Sequence, residues 1–172
     1  TDLRELETGR IEEREFERRF AKRLGLEEAG DLIDSMFRGM KSSQPMVAAV
    51  GAARTSGVRT GLVSNSWSTS HYDRSLLAEL FDAVVISAEV GLHKPQPEIY
   101  VLASKRLGVE PEGCVFVDDL RENCAGAEAV GMTAILHRDV ADTVARLEEL
   151  LGFADAGRDP AGSGSNVPEC GL

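Results

Sequence analysis

Four short apolar runs separated by amphipathic stretches constrain the fold of this chain more than any other feature. They are Thr60-Gly61-Leu62-Val63, Ala83-Val84-Val85-Ile86, Val115-Phe116-Val117 and Thr133-Ala134-Ile135-Leu136. Each is too short for a buried helix and too continuously apolar for a strand with one wet face. Between them apolar residues recur at helical spacing, as in Ile99, Leu102, Ala103 and Leu107 ahead of Gly108, or Val140, Val144, Leu147 and Leu151. Buried strands alternating with crossover helices predict an α/β fold with an open parallel sheet. Ligands of such sheets bind beyond the carboxyl ends of the strands. Polar residues gather there: Ser64 and Asn65, Ser87, then Asp118 and Asp119.

The flanks read differently. Residues 1–44 are charged and helical, with Phe16, Phe20 and Leu24 every fourth position, Glu15 placed to pair with Arg18 and Arg19, and Gly9 and Gly25 at helix ends. Pro45 opens a helix through Val50 and Ala53 that closes at Gly57, and a further helix carries Tyr72, Leu76, Leu77 and Leu80 on one face. Residues 153–172 are rich in Gly, Ser and Pro and read as a flexible tail. The expected organisation is a helical region at 1–44, an α/β core at 45–152 and the tail.

Charge narrows the partners. With 19 basic and 29 acidic residues the net charge is -10, which disfavours a nucleic-acid partner. An anionic substrate then needs a local cationic site. No apolar run reaches the roughly 20 residues of a membrane helix, so no membrane role is expected. Three cysteines without a CxxC pair and three scattered histidines argue against structural zinc and suit reduced thiols in the cytoplasm.

Three small clusters can carry chemistry. Adjacent carboxylates at a strand end, Asp118 and Asp119, are costly without a cation, and magnesium with its oxygen ligands is the natural one. The plainer alternative is that Asp119 caps the next helix while Asp118 is solvated. Ser64 and Asn65 offer a hydroxyl and a backbone N–H to a phosphate or carboxylate, or simply form a turn. Lys94, between His93 and Pro95, is by itself a surface lysine. Strand order, however, brings all three clusters to one edge of the sheet. A hydroxyl, an ammonium and a carboxylate-bound metal around one anion suit phosphoryl transfer.

The segments GLVSNSW (61–67), GLHKPQPEIY (91–100) and VFVDDLRENCAGAEAVGM (115–132) resemble, in order and interval, motifs two, three and four of the haloacid dehalogenase (HAD) superfamily. The resemblance spans roughly residues 45–152. The preceding RELETGRIEEREFERRF resembles the helical cap of the subfamily that includes phosphoglycolate-phosphatase-like enzymes and the amino-terminal phosphatase domain of bifunctional epoxide hydrolases. The resemblance implies a Rossmann-like fold and a magnesium-dependent phosphatase acting on a small phosphorylated metabolite through an aspartyl-phosphate. It assigns Ser64 and the Asn65 N–H to the phosphoryl group, Lys94 to the phosphoryl oxygens and the nucleophile, and Asp118 and Asp119 to Mg2+. Asn123 matches a recurrent supporting position. Trp67 either faces the site or belongs to the core.

The family's first motif, DxDx[TV], which supplies the nucleophile at the end of a leading strand, has no match in residues 1–44. Asp2, Asp31 and Asp34 lack a preceding apolar run. The expectation is an amino-terminally incomplete, inactive portion of a longer protein. In the family the leading strand lies between the strands corresponding to residues 59–64 and 114–118. Without it the fold is expected to be destabilised, to close the gap by shifting strands, or to borrow a strand. Two alternatives remain: a non-catalytic regulatory or scaffold module, which the absent motif suits, and a 2-haloacid dehalogenase, whose family members lack the paired acids of motif four.

Overall fold

The computed structural model describes residues 2–26, 42–67, 72 and 74–153. Two helices, α1 (Asp2–Glu7) and α2 (Glu13–Leu24), precede α3 (Gln44–Thr55). Then follow β1 (Gly61–Ser64), α4 (Arg74–Leu80), β2 (Ala83–Ile86), α5 (Ser87–Val90) and α6 (Pro97–Leu107). A 3₁₀ turn at Pro111–Gly113 leads into β3 (Val115–Asp118), α7 (Arg121–Glu128), β4 (Thr133–Leu136) and α8 (Val140–Leu151). Among the described residues no helix is long and apolar enough to cross a membrane. The expected tail lies outside the described residues from position 154 onward.

All four apolar runs are strands, and the pairing is parallel. β1 pairs with β2 in the register Val63 to Val85, and β3 pairs with β4 in the register Val117 to Ile135. The outcome departs from one open sheet, because the strands form two separate two-stranded ladders. Helices hold the ladders together. On one face Val85, Ile99, Tyr100, Ala103 and Ala127 form a core against which Val63 of β1 and Phe116 of β3 both pack. On the other, Ala53, Ile135, Leu147 and Phe153 gather with Val115 and Val117. Successive β3 side chains thus enter opposite cores, which is why the strand is apolar throughout.

Between β1 and β3 lies a cavity of about 460 Å³. Leu62 and Val63 border it on one side and Val115 and Val117 on the other. Among the described residues the gap expected from the sequence is therefore left open rather than closed by a strand shift.

α1 and α2 form a small cluster of their own, Leu6 and Phe16 with Ile11, Phe20 and Trp67. Phe16 and Phe20 stack with centroids 5.5 Å apart. Trp67 thus belongs to the contact between these helices and the segment after β1. Gly9 fixes the corner where the helices meet the α/β unit: its φ is +68°, and a Cβ there would lie 2.9 Å from the Ala88 carbonyl oxygen. Glu15 pairs with both Arg18 and Arg19 as expected. These pairs are exposed and contribute little stability. The helix expected to include Tyr72 begins only at Arg74, and Tyr72 sits in the bend before it.

Candidate functional site

The carboxyl ends of β1 and β3 and the loop after α5 meet around Lys94. Its ammonium lies 2.6 Å from Asp118 Oδ2, with side-chain exposures of 13% and 5% for lysine and aspartate. The ring of Phe116, 5.7 Å from Nζ to its centroid, lies beneath the charge. The Lys94 backbone is clamped by a residue 29 positions earlier. Lys94 N–H donates to Asn65 Oδ1 at 2.8 Å, and Asn65 Nδ2 donates to the Lys94 carbonyl at 3.0 Å. The same carbonyl accepts from His93 Nδ1 at 2.7 Å. A cis peptide joins Lys94 to Pro95.

Asp118 is the hub of the site. Besides Lys94, its Oδ1 accepts the Leu120 N–H at 2.9 Å and Asn123 Nδ2 at 2.8 Å. Burial is the largest single influence on its carboxyl and pushes the pKa up. The Lys94 ammonium, the Leu120 N–H and the Asn123 amide together outweigh it and leave the pKa below the ordinary carboxylate value. Asn123 is held in turn, since its carbonyl accepts from the buried Tyr100 hydroxyl at 2.8 Å. Burial, then the nearby Asp118 charge, raise the Tyr100 pKa and keep it a neutral donor.

The two adjacent acids thus divide their roles in the reverse of the plain alternative. Asp118 is buried and binds the first turn of α7, whereas Asp119 is exposed. The N-cap position of α7 is Leu120. Ser64, the last residue of β1, has its Oγ 2.7 Å from the Tyr72 hydroxyl. Ser87 joins the ends of β1 and β2: its Oγ accepts from Ser66 N–H at 2.9 Å and donates to the Ser66 carbonyl at 3.1 Å. Asn65, Lys94 and Asp118 are directly linked; Ser64 and Asp119 adjoin them through chain neighbours.

The structure adds residues that sequence reasoning passed over. Tyr72 engages Ser64 through a bend with no periodic signal. Gly126 on α7 lets that helix approach the Lys94–Pro95 turn, because a Cβ at 126 would stand 2.6 Å from the Pro95 carbonyl oxygen. Glu7, at the end of α1, is half-buried; desolvation raises its pKa against the opposing pull of His93, Arg4 and Lys94. A Gly after a strand-ending acid pair is a readable hint for close packing; the Tyr72 and Glu7 placements have no local signal.

The donor set fits a hard divalent cation. Asp118 accepts three bonds at about four lone-pair positions, so one remains, and exposed Asp119 supplies a second carboxylate. Among the described residues no group of three or more His, Cys, Asp or Glu side chains converges. Magnesium takes one or two protein carboxylates and completes its shell with water and phosphate oxygens. Among the described residues nothing supplies the three or four protein ligands that zinc takes.

Comparison with known proteins follows the same lines. Residues 7–131 match the family model described as haloacid dehalogenase-like hydrolase. Bifunctional epoxide hydrolase 2 of Rattus norvegicus is 34% identical over 129 residues, covering 71% of this chain and 23% of that protein. Glyceraldehyde 3-phosphate phosphatase of Methanopyrus kandleri is 31% identical over 106 residues, covering 59% of this chain and 46% of that protein. The aligned region is therefore less than half the length of either relative. A HAD family enzyme of Bacteroides thetaiotaomicron, solved with magnesium and inorganic phosphate, superposes with a TM-score of 0.66 at 20% identity, over 91% of this chain and 76% of that one. At that identity the likeness concerns the fold.

Proposed function

Because this chain belongs to the haloacid dehalogenase-like hydrolases, we propose that it forms the phosphate- and magnesium-holding part of a phosphatase for a small phosphomonoester. The observation that carries this reading is the ammonium of Lys94, held through its own peptide by Asn65 and aimed at Asp118. In a chain of net charge -10 this is a fixed local cation at the end of the strands, where an anion needs one. The phosphatase relatives, one of them named for a phosphorylated three-carbon sugar, support the substrate class.

Each residue has a physical part. Lys94 neutralises phosphoryl oxygens as charge accumulates on them. Asn65 keeps the Lys94 peptide from turning away, so little reorganisation accompanies binding. Ser64 donates its hydroxyl to the phosphoryl group once it turns from Tyr72. Asp118 and Asp119 would hold magnesium, which when bound supplies further charge neutralisation at the phosphoryl group. Asn123 and the Leu120 N–H hold Asp118 in the orientation that Lys94 requires. The family's nucleophile motif has no match in residues 1–44, and no residue of this chain is assigned the nucleophile's part.

The test is direct. Purified 1–172 should bind inorganic phosphate in a magnesium-dependent manner while hydrolysing p-nitrophenyl phosphate negligibly. Robust magnesium-dependent turnover by 1–172 that is lost in Asp119→Ala would contradict the reading that this chain alone turns over negligibly. Absence of phosphate binding in a folded chain would contradict the site itself.

A further inference from the structure

The end of α1 is pinned at the carboxyl edge of the strands. Leu6 is 1% exposed, in a cluster with Phe16 and with Trp67 from the segment after β1. Thr8 is buried, and its hydroxyl donates to the Arg4 carbonyl at 2.7 Å. Gly9 closes on Ala88, just past the carboxyl end of β2, so tightly that a Cβ would lie 2.9 Å from the Ala88 carbonyl oxygen. The Ala88 N–H in turn donates to the Ser66 carbonyl at 3.2 Å. Glu7 therefore stands between anchored residues, at the same edge as Lys94.

Glu7 is half-buried, and the charges that act on it are His93, Arg4 of its own helix and Lys94. The hydrogen bonds of the two cationic groups at the site go elsewhere. His93 Nδ1–H donates to the Lys94 carbonyl at 2.7 Å, and Lys94 Nζ donates to Asp118 at 2.6 Å. Among the described residues no hydrogen bond or ion pair reaches the Glu7 carboxyl. A carboxylate stripped of part of its water and given no donor by the protein has acceptor capacity that a ligand can fill. A hydroxyl next to a phosphoryl group held at Lys94 supplies such a donor. A second anion there meets a like charge in partly desolvated surroundings, where repulsion is stronger than in water.

We propose that Glu7 is a specificity-determining residue: it accepts a hydroxyl of the ester's organic part, so that the site favours phosphomonoesters of neutral polyols or sugars over those bearing a carboxylate. The proposal rests on the reading of Lys94 as the phosphate site and names the substrate class which that site takes. An ester without the hydroxyl leaves Glu7 with no donor. An ester with a carboxylate in that place sets two like charges together, which costs more affinity.

Calorimetric titration of the full 1–172 chain with magnesium compares inorganic phosphate with three esters on one three-carbon skeleton. They are glycerol phosphate, propyl phosphate and terminally esterified phosphoglycerate. Glycerol phosphate should bind about tenfold or more tighter than phosphoglycerate, and about threefold or more tighter than propyl phosphate. In Glu7→Gln, which keeps the shape and an acceptor but not the charge, the preference over phosphoglycerate should fall to within about threefold. Glu7 has no bond to lose, so the variant should fold; should it not, the wild-type ratios decide alone. No binding of inorganic phosphate overturns the phosphate site and the proposal with it. Phosphate binding without preference among the esters, or a preference unchanged in Glu7→Gln, overturns the part given to Glu7 and leaves the phosphate site standing.

Discussion

Removing the charge of Asp118 tests the site most sharply at the level of energetics. The Lys94 and Asp118 charges approach to 2.6 Å with side-chain exposures of 13% and 5%. At an effective dielectric of about 20 their gross attraction is about 6 kcal/mol, most of it offset by the desolvation of both ions. Breaking such a pair on one side is dearer than removing both sides, because one buried charge is left without a partner. Asp118→Asn strands the ammonium and also points an amide N–H₂ at one of three donors: Lys94, Leu120 N–H or Asn123 Nδ2. A loss of about 3 kcal/mol at pH 7 is expected. Lys94→Met leaves Asp118 its two other donors and should cost about 2 kcal/mol. The double variant should cost about 3 rather than 5 kcal/mol, giving a coupling of about 2 kcal/mol. Urea unfolding at pH 7 measures all four corners of the cycle. The folded-state pKa of Asp118 is depressed. The wild-type advantage over Asp118→Asn is therefore fully present above the unfolded carboxyl value of about 3.9, and is lost as pH falls through the lower folded value. A coupling below about 0.5 kcal/mol, or an advantage that disappears between pH 7 and pH 5, would refute the reasoning.

Other substitutions probe neighbouring links. Gly126→Ala places a methyl group 2.6 Å from the Pro95 carbonyl oxygen, and should cost about 1–3 kcal/mol in urea unfolding while weakening phosphate binding through the displaced Lys94 turn. Asn65→Ala removes both bonds to the Lys94 peptide and should cost about 2 kcal/mol, whereas Asn65→Asp keeps one acceptor and should recover part of the loss. Asp119→Asn, at an exposed position, should leave stability within about 0.5 kcal/mol and lower magnesium affinity. Asp139→Ala, which deletes the side-chain cap of α8 on Ala141 and Asp142 N–H, should cost about 1 kcal/mol and leave phosphate binding unchanged.

How much of this was legible in the sequence depends on which interactions are local. The strands could be read because burial on both faces forces runs such as Ala83–Ile86, and the end of α6 because Gly108 takes a left-handed conformation there. Strand neighbours could not be read from the runs themselves. A run such as Val115–Val117 signals two buried faces and says nothing about which edge is paired, so two ladders and one sheet look alike. The order of Ser64, Lys94 and Asp118 along the chain was enough to bring them to one edge. The inward turn of Asp118 and the outward turn of Asp119 was not, because it follows from strand register and the start of α7. The sequence points to the backbone N–H of Asn65, whereas its side chain binds a peptide 29 residues away. Spacing alone puts Tyr72 on a helical face, whereas the structure has it in the bend before α4.

Lys94, with Ser64 and the Asp118–Asp119 pair, is the proposed magnesium-dependent phosphate site. Calorimetric titration of folded 1–172 with inorganic phosphate, with and without magnesium, tests it most directly. Saturable binding that needs magnesium, is lost in Lys94→Met and is weakened at least tenfold in Asp119→Asn is expected. Binding that is indifferent to magnesium and to both substitutions, or no binding by a chain shown to be folded, would contradict it.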